Sequence, residues 1–260
     1  MATDEFVLME GPTTGARVRI DVVMPAHNEG ATIGQTIREF HRSASEMGSI
    51  EARFVVAEDG STDDTCEVVR AVAAEVPIRL LTSPDRKGYS RAVVDGIWET
   101  SAALVCVVDS DGQCDPADLP AFVEALSGRD VVVGYRNPRI DPWFRRFISG
   151  AFKLVYQRLF PVRLRDPSCP YVLLRRDAVA PLFRGNPGLL RQGFWWEFNA
   201  RAIAARLIVG EVPVNHRVRT AGTTRVYKMN KIPGIAFEHL RALFVLRREL
   251  RALPPVPQPG

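Results

Sequence analysis

Histidine and cysteine are scarce in this 260-residue chain, with four of each. Cys66, Cys106, Cys114 and Cys169 contain no C-x-x-C pair, and none stands at ligand spacing to His27, His41, His216 or His239. That excludes a structural zinc site and a disulfide framework, so any metal is expected on oxygen ligands and the thiols are expected to be reduced, in the cytoplasm. Long hydrophobic runs are missing too. No stretch approaches the roughly 18 apolar residues of a membrane span, and the acidic MATDEF start is unlike a signal peptide. Charge of one sign is not in excess either: 34 basic against 30 acidic residues leave +4. With no recognisable nucleic-acid module, that balance argues against a nucleic-acid binder.

What is present is an ordinary globular composition, 46% hydrophobic and 25% charged, enough for one large α/β domain with appendages. Short Val/Ile/Leu-rich runs (VRIDVVMPA, ARFVVAED, PIRLLTS, ALVCVVD, DVVVGYR) alternate with helical patterns through residue 136. Such continuous apolar strands are buried on both faces, which implies a mostly parallel central sheet flanked by helices. Beyond Arg136 the regularity breaks into an aromatic and basic segment (138–165), a strand (170–176), a helix (193–206), a strand (208–214) and a final helix. The expected division is a flexible N-terminus (1–16), a main domain (17–230), a basic amphipathic helix (231–252) and a flexible tail (253–260).

Five strand ends or loops fall on the carboxyl edge of such a sheet, where open α/β sheets bind ligands. The richest is LVCVVDSDGQCDP, an apolar strand followed by Asp109, Ser110, Asp111 and Gln113. Two carboxylates one residue apart can converge on one divalent cation, which would neutralise a diphosphate; they also suit an ordinary turn. Pro25-Ala26-His27-Asn28-Glu29 leaves the first strand for a helix. Glu58-Asp59-Gly60-Ser61 offers a carboxylate to the N–H groups of a nucleobase, or to a helix start, with Ser61 and Thr62 as caps ahead of Asp63 and Asp64. Arg86-Lys87-Gly88-Tyr89-Ser90 is either a surface turn or a loop allowing close approach of a nucleotide. Gly134-Tyr135-Arg136 ends a strand with a guanidinium suited to phosphate.

In order and spacing these segments resemble the inverting glycosyltransferases of family 2, and within them the dolichol- and polyprenyl-phosphate sugar transferases, over about residues 18 to 225. The second half adds Arg165-Asp166-Pro167-Ser168-Cys169-Pro170-Tyr171, the helix WWEFNARA and the loop His216-Arg217-x-Arg219-x-x-Gly222-x-Thr224-Arg225. The resemblance implies the α/β GT-A fold, a nucleotide-sugar donor of the GDP-mannose or UDP-glucose type, and Mg²⁺ or Mn²⁺. It implies that Pro25, Ala26, Asn28, Glu29 and Asp59 hold the nucleoside, with Lys87 and Ser110 beside the donor. Asp109, Asp111 and Gln113 would then bind the cation, while Arg136, Arg219 and Arg225 share the diphosphate charge. The chain departs from the family in Glu58, where Asp is usual, and in Pro170-Tyr171, where Gly-Phe is usual; the latter bears on the acceptor.

In an inverting transfer the acceptor oxygen displaces the nucleoside diphosphate at the anomeric carbon, and a hydroxyl acceptor needs a base. Asp166 and Glu197 are the available carboxylates; Glu197 is preferred because Trp195 and Trp196 would desolvate it. A lipid phosphate is already anionic, so the same carboxylates would only position it. DPWFRRFISGAFKLVYQRLF (141–160) has aromatic residues at helical spacing interleaved with cations, fitting an interfacial helix on an anionic membrane or a helix packed on the sheet. Arg146, Phe147 and Ser149 within it, with Trp195, are the expected acceptor and membrane contacts. A second basic amphipathic stretch at 231–252 favours the membrane reading, with the protein peripheral at the inner face and polyprenyl phosphate as acceptor. A soluble hydroxyl acceptor and a catalytically silent nucleotide-binding module are the alternatives.

Overall fold

Branched residues dominate β1 (Val18–Ala26), and Ile20, Val22, Val23 and Met24 are wholly enclosed. A strand buried on both faces sits in the middle of its sheet: β1 pairs in parallel with β2 (Ile50–Glu58) on one side and β4 (Leu104–Val107) on the other. In this computed structural model, which describes residues 17–137, 143–183, 193–218 and 232–252, β3 (Ile78–Leu81) joins β2 in parallel. β5 (Val131–Arg136) and β7 (Val209–Val214) are parallel to each other, and β6 (Val172–Arg175) lies antiparallel between β4 and β5. The seven-stranded order is β3-β2-β1-β4-β6-β5-β7. The mostly parallel α/β sheet expected from the sequence is therefore present, with β6 as its one reversed strand.

Helices cover the sheet by burying one stripe each. In α1 (Gly30–Glu46) that stripe is Ile33, Ile37, Phe40 and Ala44, spaced at three to four residues. α2 (Thr65–Val72), α3 (Tyr89–Trp98) and α4 (Leu119–Ala125) follow the same rule. Tyr171 joins the two halves of the core, stacked on Phe122 at 4.2 Å and edge-on to Phe40 at 5.8 Å. Truncating a ring such as Phe40 to alanine would cost about 3–5 kcal/mol. Asp21, buried within β1, accepts the amides of Ser101 (2.6 Å) and Ala102 (2.8 Å), so its burial fixes the turn that leads into β4.

The start of α2 differs from expectation. Ser61 and Thr62 do not cap it; the helix begins at Thr65, whose amide donates to Asp63 Oδ1 at 3.1 Å. The two earlier residues are held by Asn28 instead, so capping falls to the next acidic side chain in line.

The second half is helical. α5 (Trp143–Leu159) packs against α8 (Ile232–Ala252), as does α7 (Phe194–Ala204); the short α6 (Arg176–Val179) follows β6. The expectation that α5 lays an aromatic face on a membrane is corrected for its C-terminal half. Tyr156 is wholly buried, its ring 4.8 Å from that of Trp196 and its hydroxyl donating to the Trp196 carbonyl, while Phe152 meets Trp196 edge-on at 4.7 Å. The same aromatic periodicity serves core packing here, because α7 brings its own rings to that side. The side chains of Arg146 and Phe147 lie outside the described set; Ser149 is half-buried.

Candidate active site

Chain direction across the sheet reverses between β1 and β4: β2 and β3 extend one way from β1, and β4 returns to its other side. Ligands of open α/β sheets bind at this switch point, beyond the strands' carboxyl ends. The side chain of Ser110, just past β4, donates to the Pro25 carbonyl at 3.0 Å, and the Ser110 carbonyl accepts the hydroxyls of Thr32 and Thr36. Ser110 thus welds the end of β4 to the end of β1 and to α1. Its neighbours Asp109 and Asp111 lie in the turn that follows β4, beyond its carboxyl end.

The loop after β1 is equally constrained. Asn28 adopts a positive φ of 57°, which asparagine tolerates better than most residues. Its amide donates to Ser61 Oγ, and its Oδ1 accepts the Thr62 amide at 2.7 Å. The Glu29 amide donates to Thr65 Oγ1 and that of Gly30 to Asp63 Oδ2. Gly60 turns at φ +65, and a Cβ there would stand 2.8 Å from the Arg86 amide nitrogen, so only glycine lets the loops after β2 and β3 touch. Asp59, buried, accepts the amides of Lys87 (2.6 Å) and Gly88 (2.9 Å). The carboxylate expected to read a nucleobase therefore first of all pins the 86–88 loop that would lie beside one. Lys87 turns its ammonium to Asp95, on α3, at 2.5 Å.

At the centre, Asp109 Oδ1 accepts the Tyr89 hydroxyl at 2.8 Å, and Asp111 Oδ1 accepts the Gln113 amide at 3.1 Å. Burial and then the neighbouring Asp111 charge push the Asp109 carboxyl up to about 7, and the Arg136 charge offsets this only weakly. Gln113 Nε2 donates to the Arg217 carbonyl, which turns the amide oxygen away from that contact. The 216–217 segment runs antiparallel beside 113–114, through the Arg217 amide to the Gln113 carbonyl and a bridge between Cys114 and His216. Arg217 itself is held by Glu39 (2.6 Å) and Asp115 (2.7 Å). Arg219 and Arg225 lie outside the described residues.

The Asp109 carboxyl, raised by burial and by the Asp111 charge, lies with a second carboxylate and an amide oxygen within four residues, a donor set that suits a hard divalent cation. No group of three or more His, Cys, Asp or Glu gathers among the described residues. Asp109, Asp111 and Gln113 are the residues here that would hold such a cation, whose charge would neutralise a diphosphate.

Arg136 and Asp166 come together where the sequence reading kept them apart. The guanidinium at the end of β5 donates Nε to Asp166 Oδ2 (2.6 Å), Nη2 to Asp166 Oδ1 (3.0 Å) and Nη2 to Ser168 Oγ (2.9 Å). Since β5 and β6 are neighbours, the segment entering β6 delivers Asp166 to the tip of β5, and the fork is closed by a carboxylate rather than left to phosphate. Glu197, buried on α7, accepts Arg201 Nε at 2.8 Å, and Arg201 reaches on to Glu249 of α8 at 3.0 Å. Both expected bases are thus ion-paired. Trp195, expected at the acceptor or membrane side, is buried and donates its indole N–H to the Tyr89 oxygen at 3.0 Å. Sequence reasoning assigned Tyr89 no role; its position next to a glycine at the start of a helix was the only available signal.

Comparison with known proteins agrees with this geometry. The chain is 31% identical over 215 residues to the uncharacterized glycosyltransferase Rv0539 of Mycobacterium tuberculosis, covering 80% of this chain and 89% of that protein. It is 27% identical over 240 residues to the dolichol-phosphate mannosyltransferase of Pyrococcus furiosus, 89% of this chain and 64% of that one. It is 26% identical over 227 residues to the undecaprenyl-phosphate 4-deoxy-4-formamido-L-arabinose transferase of Edwardsiella ictaluri, 86% and 67%. The chain thus spans about two thirds of the length of the latter two relatives. Among solved structures, glucosyl-3-phosphoglycerate synthase of M. tuberculosis with phosphoglyceric acid superposes with a TM-score of 0.67 at 20% identity, covering 89% of this chain and 80% of that one. The same enzyme with Mn²⁺, UDP-glucose and phosphoglyceric acid gives 0.65, with the same identity and coverage. These neighbours share the GT-A-like fold. The family model for glycosyl transferase family 2 matches residues 21–183, the stretch that carries every loop from β1 to β6, and the chain belongs to that family.

Proposed function

We propose that this protein is an inverting glycosyltransferase moving a hexose from a nucleotide-diphosphate sugar to polyprenyl phosphate. The observation that carries the choice of acceptor is the pairing of both candidate bases: Asp166 is forked by Arg136, and Glu197 is held by Arg201. A hydroxyl acceptor needs a carboxylate that can take its proton, whereas a lipid phosphate arrives as an anion and needs none. Relatives named for transfer to undecaprenyl and dolichol phosphate support the same acceptor.

In this reading Asp109, Asp111 and the Gln113 amide oxygen hold Mg²⁺ or Mn²⁺, a charge that would stabilise the departing diphosphate. The loops pinned by Asn28 and Asp59 form the nucleoside end of the cleft, and their dense hydrogen bonding pre-organises it before donor arrives. Asp166 and Ser168 aim the Arg136 guanidinium, whose positive charge at the tip of β5 favours an approaching phosphate. Glu197 and Arg201 fix α7 against α8. Screening radiolabelled UDP- and GDP-sugars against polyprenyl phosphate and against soluble phosphorylated and neutral hydroxyl acceptors tests this directly. Transfer to the lipid only in the presence of Mg²⁺ or Mn²⁺ is the expected result; transfer to a soluble hydroxyl alone would overturn the choice of acceptor.

We further propose that α8 meets the membrane, peripherally, on its outer face. Leu243 and Leu246 are fully buried on its inner face, yet Leu240, Phe244 and Val245 are 37%, 55% and 40% exposed on the other. With Arg241 and Arg248 they line a groove of about 490 Å³. An apolar stripe edged by guanidinium groups suits anionic headgroups over acyl chains. No helix among the described residues is long and apolar enough to cross a membrane, so a surface contact would be how this part of the chain reaches a lipid acceptor.

A further inference from the structure

The indole N–H of Trp195 can only donate, so at 3.0 Å the Tyr89 oxygen must accept from it. Tyr89 then has one proton left to give, and the acceptor within reach is Asp109 Oδ1 at 2.8 Å. The chemistry of the three groups fixes the direction of the chain: Trp195 to Tyr89 to Asp109. Each link comes from a different element, namely the first turn of α7, the first residue of α3 and the exit of β4. The rings around it leave little freedom. Tyr89 meets Phe194 edge-on at 6.5 Å, and Trp195 is held by Phe194 at 5.1 Å and Phe198 at 5.5 Å. α7 is itself tied to the Asp166 turn, since Asn199 Nδ2 donates to the Pro167 carbonyl at 3.0 Å.

We propose that Tyr89 and Trp195 are positioning residues that orient the Asp109 carboxylate for its cation and couple that carboxylate to the helix bearing Glu197 and Asn199. The proposal rests on the reading of Asp109 as a cation ligand. With Oδ1 accepting the Tyr89 hydroxyl, the swing of the carboxylate is restrained, and Oδ2 would remain for a cation. Trp195 acts only through Tyr89: by filling the lone pair on the acceptor side of the phenol, it commits the phenolic proton to Asp109.

Mn²⁺ alone, titrated into the full-length protein with free Mn²⁺ followed by electron paramagnetic resonance, tests this without any turnover. Wild type is compared with Tyr89→Phe, Trp195→Phe, the double variant and Asp109→Ala, each first checked for an unchanged melting profile. Both phenylalanine substitutions keep a ring among the neighbours above. Tyr89→Phe is expected to weaken Mn²⁺ binding about three- to tenfold, the loss of one hydrogen bond to a charged group. Trp195→Phe is expected to weaken it less, and the double variant no more than Tyr89→Phe alone, because the tryptophan has no route to Asp109 once the phenol is gone. Additive losses would overturn the coupling. Wild-type affinity in Tyr89→Phe, alongside loss in Asp109→Ala, would overturn the proposal while leaving the cation site intact. Equal binding by wild type and Asp109→Ala would remove the cation reading and this proposal with it. Should Tyr89→Phe fail to fold, Trp195→Phe decides: wild-type Mn²⁺ affinity there overturns the coupling to α7.

Discussion

The two carboxylate pairs of the cleft are built in opposite ways. Asp166 and Glu197, in the second half of the chain, each meet a guanidinium within 3 Å, from Arg136 and Arg201. Asp109 is answered by a neutral phenol, with Asp111 close enough to raise it. A charge met by a guanidinium is held in place, whereas a carboxyl raised by burial and a like charge suits a cation from outside. In the proposed function, the difference separates the parts that would shape the site from the part that would hold its cation.

Breaking the pair of Asp109 and Asp111 should have the largest effect. Asp111→Asn is expected to lower kcat/KM about a thousandfold with the fold intact. Asp109→Asn should do the same to transfer yet raise the melting temperature of metal-free protein at pH 8. Its folded carboxyl titrates near 7 against an ordinary 3.8, so the native state holds a proton that the unfolded chain releases between those values. That site's contribution to stability therefore falls as pH rises from about 4 to 7, and asparagine should flatten the loss. Melting curves at pH 5 and pH 8 measure it.

Breaking a matched pair should instead harm the fold. Asp166→Ala leaves a mostly buried guanidinium without its two-point carboxylate and is expected to cost about 3 kcal/mol in urea unfolding. Phe244→Asp should weaken co-sedimentation with anionic liposomes about tenfold while moving stability by no more than ~0.5 kcal/mol, since that ring is exposed. Glu197→Gln is the mildest. Arg201 keeps Glu249, so transfer should fall about threefold with the pH profile unchanged; a lost acidic limb in that profile would make Glu197 the base after all.

The sheet was legible because its strands carry branched residues without a polar face, and the edge that bears the loops followed from that. Asp109, Asp111 and Asp59 were legible because each sits directly after such a run. The pairing of Arg136 with Asp166 was not, because it depends on an antiparallel strand arriving next to β5 from 30 residues further on. Nor was the burial of Tyr156 and Trp195: a row of aromatics at helical spacing is the same in a core as on a membrane, and only the placement of α7 decides. Tyr89 escaped because a single phenol at a helix start carries no pattern at all.

The reversed strand β6 also dictates an order of assembly. β1 to β4 pair only with one another and with β6, and β5, paired with β7 on its far side, reaches β1 to β4 through β6 alone. On a ribosome, the first four strands can close their ladder once about residue 110 has emerged, while β5 must wait, unpaired, for residues 172–175 to follow. The growing chain would thus complete the half that carries Asp59, Asp109 and Asp111 well before the half that carries Asp166 and Glu197.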